Sequence, residues 1–126
     1  MAEFILKSMV REAGLADEFK IESAATSREE IGNDVYPPAK AEMRERGIPF
    51  ESRAARQITA EEYDDYDMFL CMDDNNVRNI NCIFGGDPEG KVRKLLVGLN
   101  VSDPWYTGDF GTAFDDIYEG CKRLLE

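Results

Sequence analysis

Apolar positions recur along this chain with two periods. Near the start, Phe4, Ile5, Met9, Val10 and Ala13 share one broad helical face over residues 2–13, and Gly14 stops it. The clearest stripe lies at the other end. Phe114, Ile117, Tyr118, Cys121, Leu124 and Leu125 stand 0, 3, 4, 7, 10 and 11 positions from the first, which predicts a helix running to the end of the sequence. Between these, residues 19–23 alternate like a short strand, and a polar loop over 24–35 leads into Tyr36-Pro37-Pro38. Residues 38–46 suit a helix that stops before Gly47. Thr59-Ala60-Glu61-Glu62 has capping-box spacing, in which hydroxyl and carboxylate satisfy each other's backbone donors, so a short helix opens there. Asp67-Met68-Phe69-Leu70-Cys71-Met72, five apolar residues behind one aspartate, reads as a buried strand, and Asp73 caps a helix over 74–81. Residues 82–90 form a loop, 92–97 a weaker strand and 101–110 another loop.

Helices alternating with short apolar strands imply a single α/β domain over residues 1–126, its mostly parallel sheet covered on both faces. In such folds an anion-binding loop commonly joins the first strand to the first helix, where backbone N–H groups point at the ligand. Here the first helix is preceded only by Met1, with no capping side chain. The pattern therefore starts midway through a βα unit, and the expectation is an N-terminally shortened domain.

Charge and composition narrow the function. There are 15 basic and 26 acidic residues, a net charge of −11, and no histidine. A broad basic face for nucleic acid or anionic lipid is not expected, since that attraction needs clustered Lys and Arg. No run approaches a membrane span or a secretory leader, so the expected location is cytoplasmic. Cys71, Cys82 and Cys121 are odd in number and widely spaced, which fits reduced thiols. Without histidine, serine-triad and zinc-hydrolase chemistry drop out.

Several segments together resemble the low-molecular-weight protein tyrosine phosphatases: Met1-Ala2-Glu3-Phe4, residues 14–19, Glu22-Ser23-Ala24-Ala25-Thr26-Ser27, Arg56-Gln57-Ile58-Thr59, Met72-Asp73 with Asn76, and Asp103-Pro104-Trp105-Tyr106. They occur in the family's order and cover nearly the whole chain. The resemblance implies a three-layer, doubly wound fold with a four-stranded, mostly parallel sheet, here missing its first, central strand. It also implies phosphotyrosine hydrolysis through a cysteinyl-phosphate intermediate, on a phosphotyrosine protein or a small aryl phosphate, with no cofactor.

The family's nucleophile stands in a loop with a Cys and an Arg separated by five residues. No cysteine here has that spacing: Arg78 is seven positions after Cys71, Arg93 eleven after Cys82 and Arg123 two after Cys121. The spacing matters because a short loop must wrap its amides around the phosphoryl oxygens while the Arg grips two of them and lowers the thiol pKa. Cys71 reads instead as a buried strand thiol, Cys121 as part of the apolar stripe and Cys82 as a loop residue.

By resemblance Asp103 is the general acid, which protonates the departing phenolate and then activates water. Otherwise it opens a turn, as Asp-Pro often does. Trp105 and Tyr106 would wall the cleft beside a phenyl ring. Tyr36 either takes the place of a family tryptophan in substrate recognition, where the ungapped match has Glu29, or covers its helix start. A family histidine near Arg53 and Ala54 is absent. Arg56 and Gln57 are expected to fix loop structure, and Asp64, Asp65 and Asp67 to be solvated surface without metal.

Loss of a central strand, about four apolar side chains at ~2 kcal/mol each, is comparable with a domain's whole stability of ~5–15 kcal/mol. The expectation is an unstable monomer, or one that fills the slot by rearrangement, dimerisation or strand exchange. Functionally, the chain is read as a phosphatase whose complete form holds the nucleophile, inactive as given. The alternatives are a natural non-catalytic binding relative and an arsenate-reductase-like protein with a Cys71–Cys82 relay.

Overall fold

The computed structural model describes residues 1–26, 32, 34–96, 98–101 and 108–125. Among these residues four α-helices, α1 (Ala2–Glu12), α2 (Pro37–Glu45), α3 (Asp74–Phe84) and α4 (Phe110–Leu124), accompany two strands, β1 (Phe69–Cys71) and β2 (Val92–Lys94). The strands are parallel, with Phe69 opposite Val92, Leu70 opposite Arg93 and Cys71 opposite Lys94, and α3 is their crossover.

Alternation along β1 divides the molecule into layers. Phe69 and Cys71 face one side, where they pack with Tyr63, Ile80 and Phe84. Leu70 and Met72 face the other, against Ile5 and Val10 of α1 and Phe114, Ile117 and Cys121 of α4. A parallel strand covered on both faces has to be apolar at successive positions, which is why residues 68–72 form an unbroken apolar run. Ile5 and Cys121 are almost wholly excluded from solvent, at 0% and 1% exposure, so the α1–α4 contact is the centre of the main core. Gly120 lets α4 come close: a Cβ built there would meet Leu95 Cγ at 2.5 Å.

Local rules account for most element ends. Asp73 accepts a 2.8 Å bond from the Asn76 N–H at the start of α3, and Gly85, at φ 72°, ends it in the left-handed conformation. Pro37 begins α2, where its missing N–H costs nothing. The capping box is formed, with Glu62 Oε2 accepting from the Thr59 N–H at 2.8 Å, but the turn it opens, Ala60–Asp64, is a 3-10 helix.

Two expectations are corrected. Residues 19–23 form no strand; among the described residues the nearest backbone pairing is at Ala25, a parallel bridge to Gln57. Alternation disposes a segment toward β structure, but only a neighbour completes a ladder. Cys82 lies within α3, because the helix continues to Phe84 until a glycine can stop it. The described sheet thus has two strands, and no described helix is long and apolar enough to cross a membrane.

Candidate functional site

The C-terminal end of β1 collects the polar residues expected at a ligand crevice in an open parallel sheet. Past Cys71 the chain turns into Asp73, the cap of α3, and Asn76 reaches back so that its Oδ1 accepts from the Met72 N–H at 3.2 Å. The Met72 carbonyl in turn accepts the Val101 N–H at 2.8 Å. That bond holds the segment after β2 against the end of β1, two residues before Asp103. Lys94 secures the same corner, donating to Asn100 at 3.2 Å and pairing with Asp74 at 3.1 Å. The Lys94 ammonium holds the Asp74 carboxyl below its ordinary range. Asp73, Asp74, Asn75, Arg78, Asn100 and Val101 line an open cleft of about 410 Å³ here.

A second strap reaches the middle of α3. Gln57 donates from Nε2 to the Thr26 carbonyl at 3.3 Å, and Asn79 of α3 donates to Thr26 Oγ1 at 3.5 Å. Arg56 pairs with Glu62 at 2.5 Å and with Glu22 at 3.4 Å. Both residues therefore tie loops together, as expected of them.

Asp103, Trp105 and Tyr106 lie outside the described residues, as does Glu29. Tyr36 is described. It precedes α2, is 46% exposed, and its ring lies 5.9 Å from that of Phe110, the first residue of α4. The two helices that follow the predicted recognition segments thus meet through an aromatic pair. Arg46 reinforces the junction by reaching Asp115 at 2.8 Å and lying 4.6 Å over the Phe114 ring. Asp109 caps α4, accepting from the Thr112 N–H and hydroxyl at 2.9 and 2.6 Å, and those bonds lower its pKa. Lys94, Asn100 and Phe110 were not singled out from sequence. Only β2–α3 proximity and the α2–α4 contact bring them to the site.

The cysteines are all free, with Cys82 exposed. Burial pushes the Cys71 and Cys121 thiols up to about 11, the opposite of what a nucleophile needs. Cys71 also sits inside the sheet layer, so a relay with exposed Cys82 is not supported by its surroundings. Asp64, Asp65 and Asp67 are exposed.

The comparisons agree with this architecture. The family model for low molecular weight phosphotyrosine protein phosphatase matches residues 1–126. The human low molecular weight phosphotyrosine protein phosphatase is 33% identical, over all of this chain and 85% of its own length. The low molecular weight protein-tyrosine-phosphatase YfkJ of Bacillus subtilis is 30% identical, over 99% of this chain and 84% of its own. The crystal structure of YfkJ superposes with a TM-score of 0.93 over 98% of this chain and 82% of that one, at 31% identity. The low molecular weight protein tyrosine phosphatase from Streptococcus pyogenes gives 0.90, over 98% and 80%, also at 31% identity. A βαβ crossover capped by Asp73, the loop held at the end of β1 and a match along the full sequence all lead to one conclusion: the chain belongs to the low molecular weight phosphotyrosine protein phosphatase family.

Proposed function

We propose that this chain is the larger part of a phosphotyrosine hydrolase working through a cysteinyl-phosphate intermediate, with Asp103 as proton donor and Trp105, Tyr106 and Tyr36 beside the substrate ring. The observation that carries the reading is the Val101–Met72 bond, which brings the chain to the C-terminal end of β1 two residues before Asp103. A carboxylic acid there is within chain reach of a leaving oxygen in the crevice where ligands bind in such sheets. The substrate is an aryl phosphate, free or on a protein tyrosine.

The reading requires a nucleophile and phosphate-gripping arginine from outside these 126 residues, since no cysteine among them stands six positions before an arginine. It also assigns a strand to the gap between residues 20–24 and β1. Two observations support this: pairing with β2 uses the groups of Phe69 and Cys71, so alternation turns the Leu70 N–H and C=O away from β2, and among the described residues the segment before Ala25 has no ladder of its own. A strand of the complete form, or one exchanged from a second copy, would fill that gap.

The test is hydrolysis of p-nitrophenyl phosphate by the 126-residue chain and by a longer form carrying a strand and a Cys, five residues and Arg ahead of Met1. The short chain is expected to be inactive. The longer form is expected to be active and to lose about 100-fold or more in kcat with Asp103→Asn, the usual scale for a general acid. Turnover by the short chain, or full activity of the Asp103→Asn longer form, refutes the assignment. A non-catalytic relative would instead remain inactive in its longest natural form.

A further inference from the structure

A second cleft, of about 290 Å³, opens where the outer face of α1 meets residues 16–21 and the strap 49–53. Its floor is apolar, formed by Phe4, Val10 and Ile21, and Phe19 stands at its rim with 41% of its surface exposed. A large aromatic left half in water, beside a hollow, is a contact surface for another ring.

The charges around this hollow reverse the balance of the molecule. Across the sequence acids outnumber bases 26 to 15, yet the residues lining this cleft include Lys7, Arg11 and Arg53 against one acid, Glu51, with Asp17 and Glu18 next to its rim in sequence and Glu3 beneath Lys7 and Arg53. Glu3 is 6% exposed and already bound to both Lys7, at 2.6 Å, and Arg53, at 2.9 Å. Glu51 pairs with Arg53 at 3.1 Å. Arg11 is exposed and has no ion pair among the described residues. The Lys7 and Arg53 charges also lie 5.9 and 5.2 Å from the centre of the Phe4 ring, so the cationic and aromatic groups form one surface.

We propose that this cleft binds a small organic anion with a flat apolar ring, the chemistry of an aromatic carboxylate. The ring lies against Phe19 and Ile21 and the carboxylate faces Arg11, whose planar fork suits two carboxylate oxygens. The volume is at the lower end of small-molecule pockets, which limits the ligand to one or two fused rings. At ionic strength near 0.15 M, charges more than about 8 Å away are screened, so the local cations and not the overall negative charge govern the contact.

The probe is 1-naphthoate, titrated to about 10 mM into the 15N-labelled 126-residue chain, a range that detects Kd near 1 mM. Saturable amide shifts are expected at Arg11, Phe19, Ile21 and Glu51. The neutral analogue 1-naphthalenemethanol should bind about 5-fold more weakly, the upper range for one exposed charge contact. Arg11→Glu and Phe19→Ala are both at exposed positions, leave the core intact, and should each weaken naphthoate. The proposal is overturned by absence of saturable shifts, by shifts confined to other surfaces, by equal binding of the neutral analogue, or by unchanged affinity in Arg11→Glu.

Discussion

Glu3 is a carboxylate that three separate parts of the chain converge on. It is buried on the first turn of α1 and accepts from Lys7 Nζ at 2.6 Å, Ser23 Oγ at 2.7 Å and Arg53 Nε at 3.0 Å. Those three partners come from α1 itself, from the extended segment before Ala25 and from the strap after α2, so one side chain fastens three parts of the chain. Burial opposes its ionisation, but the hydrogen bonds from Arg53, Lys7 and Ser23 outweigh that and lower its pKa from 4.5 to about 2. At 1.36 kcal/mol per unit, this linkage contributes about 3 kcal/mol to stability at neutral pH. Because the folded-state pKa is the depressed one, the contribution is complete above about pH 4.5 and is lost as pH falls toward 2. Glu3→Gln keeps the shape and removes the charge, leaving Arg53 and Lys7 without it. Urea denaturation at pH 7 should show a loss of about 3 kcal/mol, in the range for breaking one side of a buried pair. Repeated at pH 5, 4 and 3, the gap between native and variant protein should shrink steadily. A gap that stays constant across that range would refute the electrostatic account and leave only lost packing.

Gly120→Ala should destabilise by about 1–2 kcal/mol in thermal melts, because overpacking against Leu95 exceeds the helix-propensity gain of about 1 kcal/mol. Gly111→Ala, whose added methyl would have no neighbour nearer than 3.5 Å, serves as the contrast and should leave stability unchanged or raise it by up to about 1 kcal/mol; equal effects at the two sites would discredit the close-approach argument. Under native conditions one equivalent of maleimide should label Cys82 alone, with Cys71 and Cys121 reacting only after unfolding, and intact-mass and peptide mapping would expose any early second adduct.

Much of this architecture was legible because local patterns carry it. The apolar stripe from Phe114 to Leu125 specifies α4, Asp73 marks the start of α3, and the run from Met68 to Met72 predicts a strand buried on both sides. The resemblance drawn from scattered segments likewise led to the family the full-length match shows. The failures share a cause. Residues 19–23 alternate correctly, but pairing depends on what lies beside them, and among the described residues the nearest bridge is the one from Ala25 to Gln57. The 3-10 form of residues 60–64 is likewise not set by its capping box alone.

The candidate site divides in the same way. Asp103, Trp105 and Tyr106 could be proposed from a linear motif, because they stand together in the sequence, and Tyr36 from a departure from the family's pattern. Lys94, Asn100 and Phe110 could not, because their relevance arises from contacts between segments far apart in the chain: Lys94 with Asp74, Val101 with Met72, Phe110 with Tyr36. The sequence by itself determined the periodicities, the caps, the glycine stops and the excess of negative charge, since these act between neighbours or sum over residues. Tertiary structure alone decided which strands pair, which carboxylate is buried among cations and which thiols are silenced, because each depends on desolvation and on partners that only folding brings together.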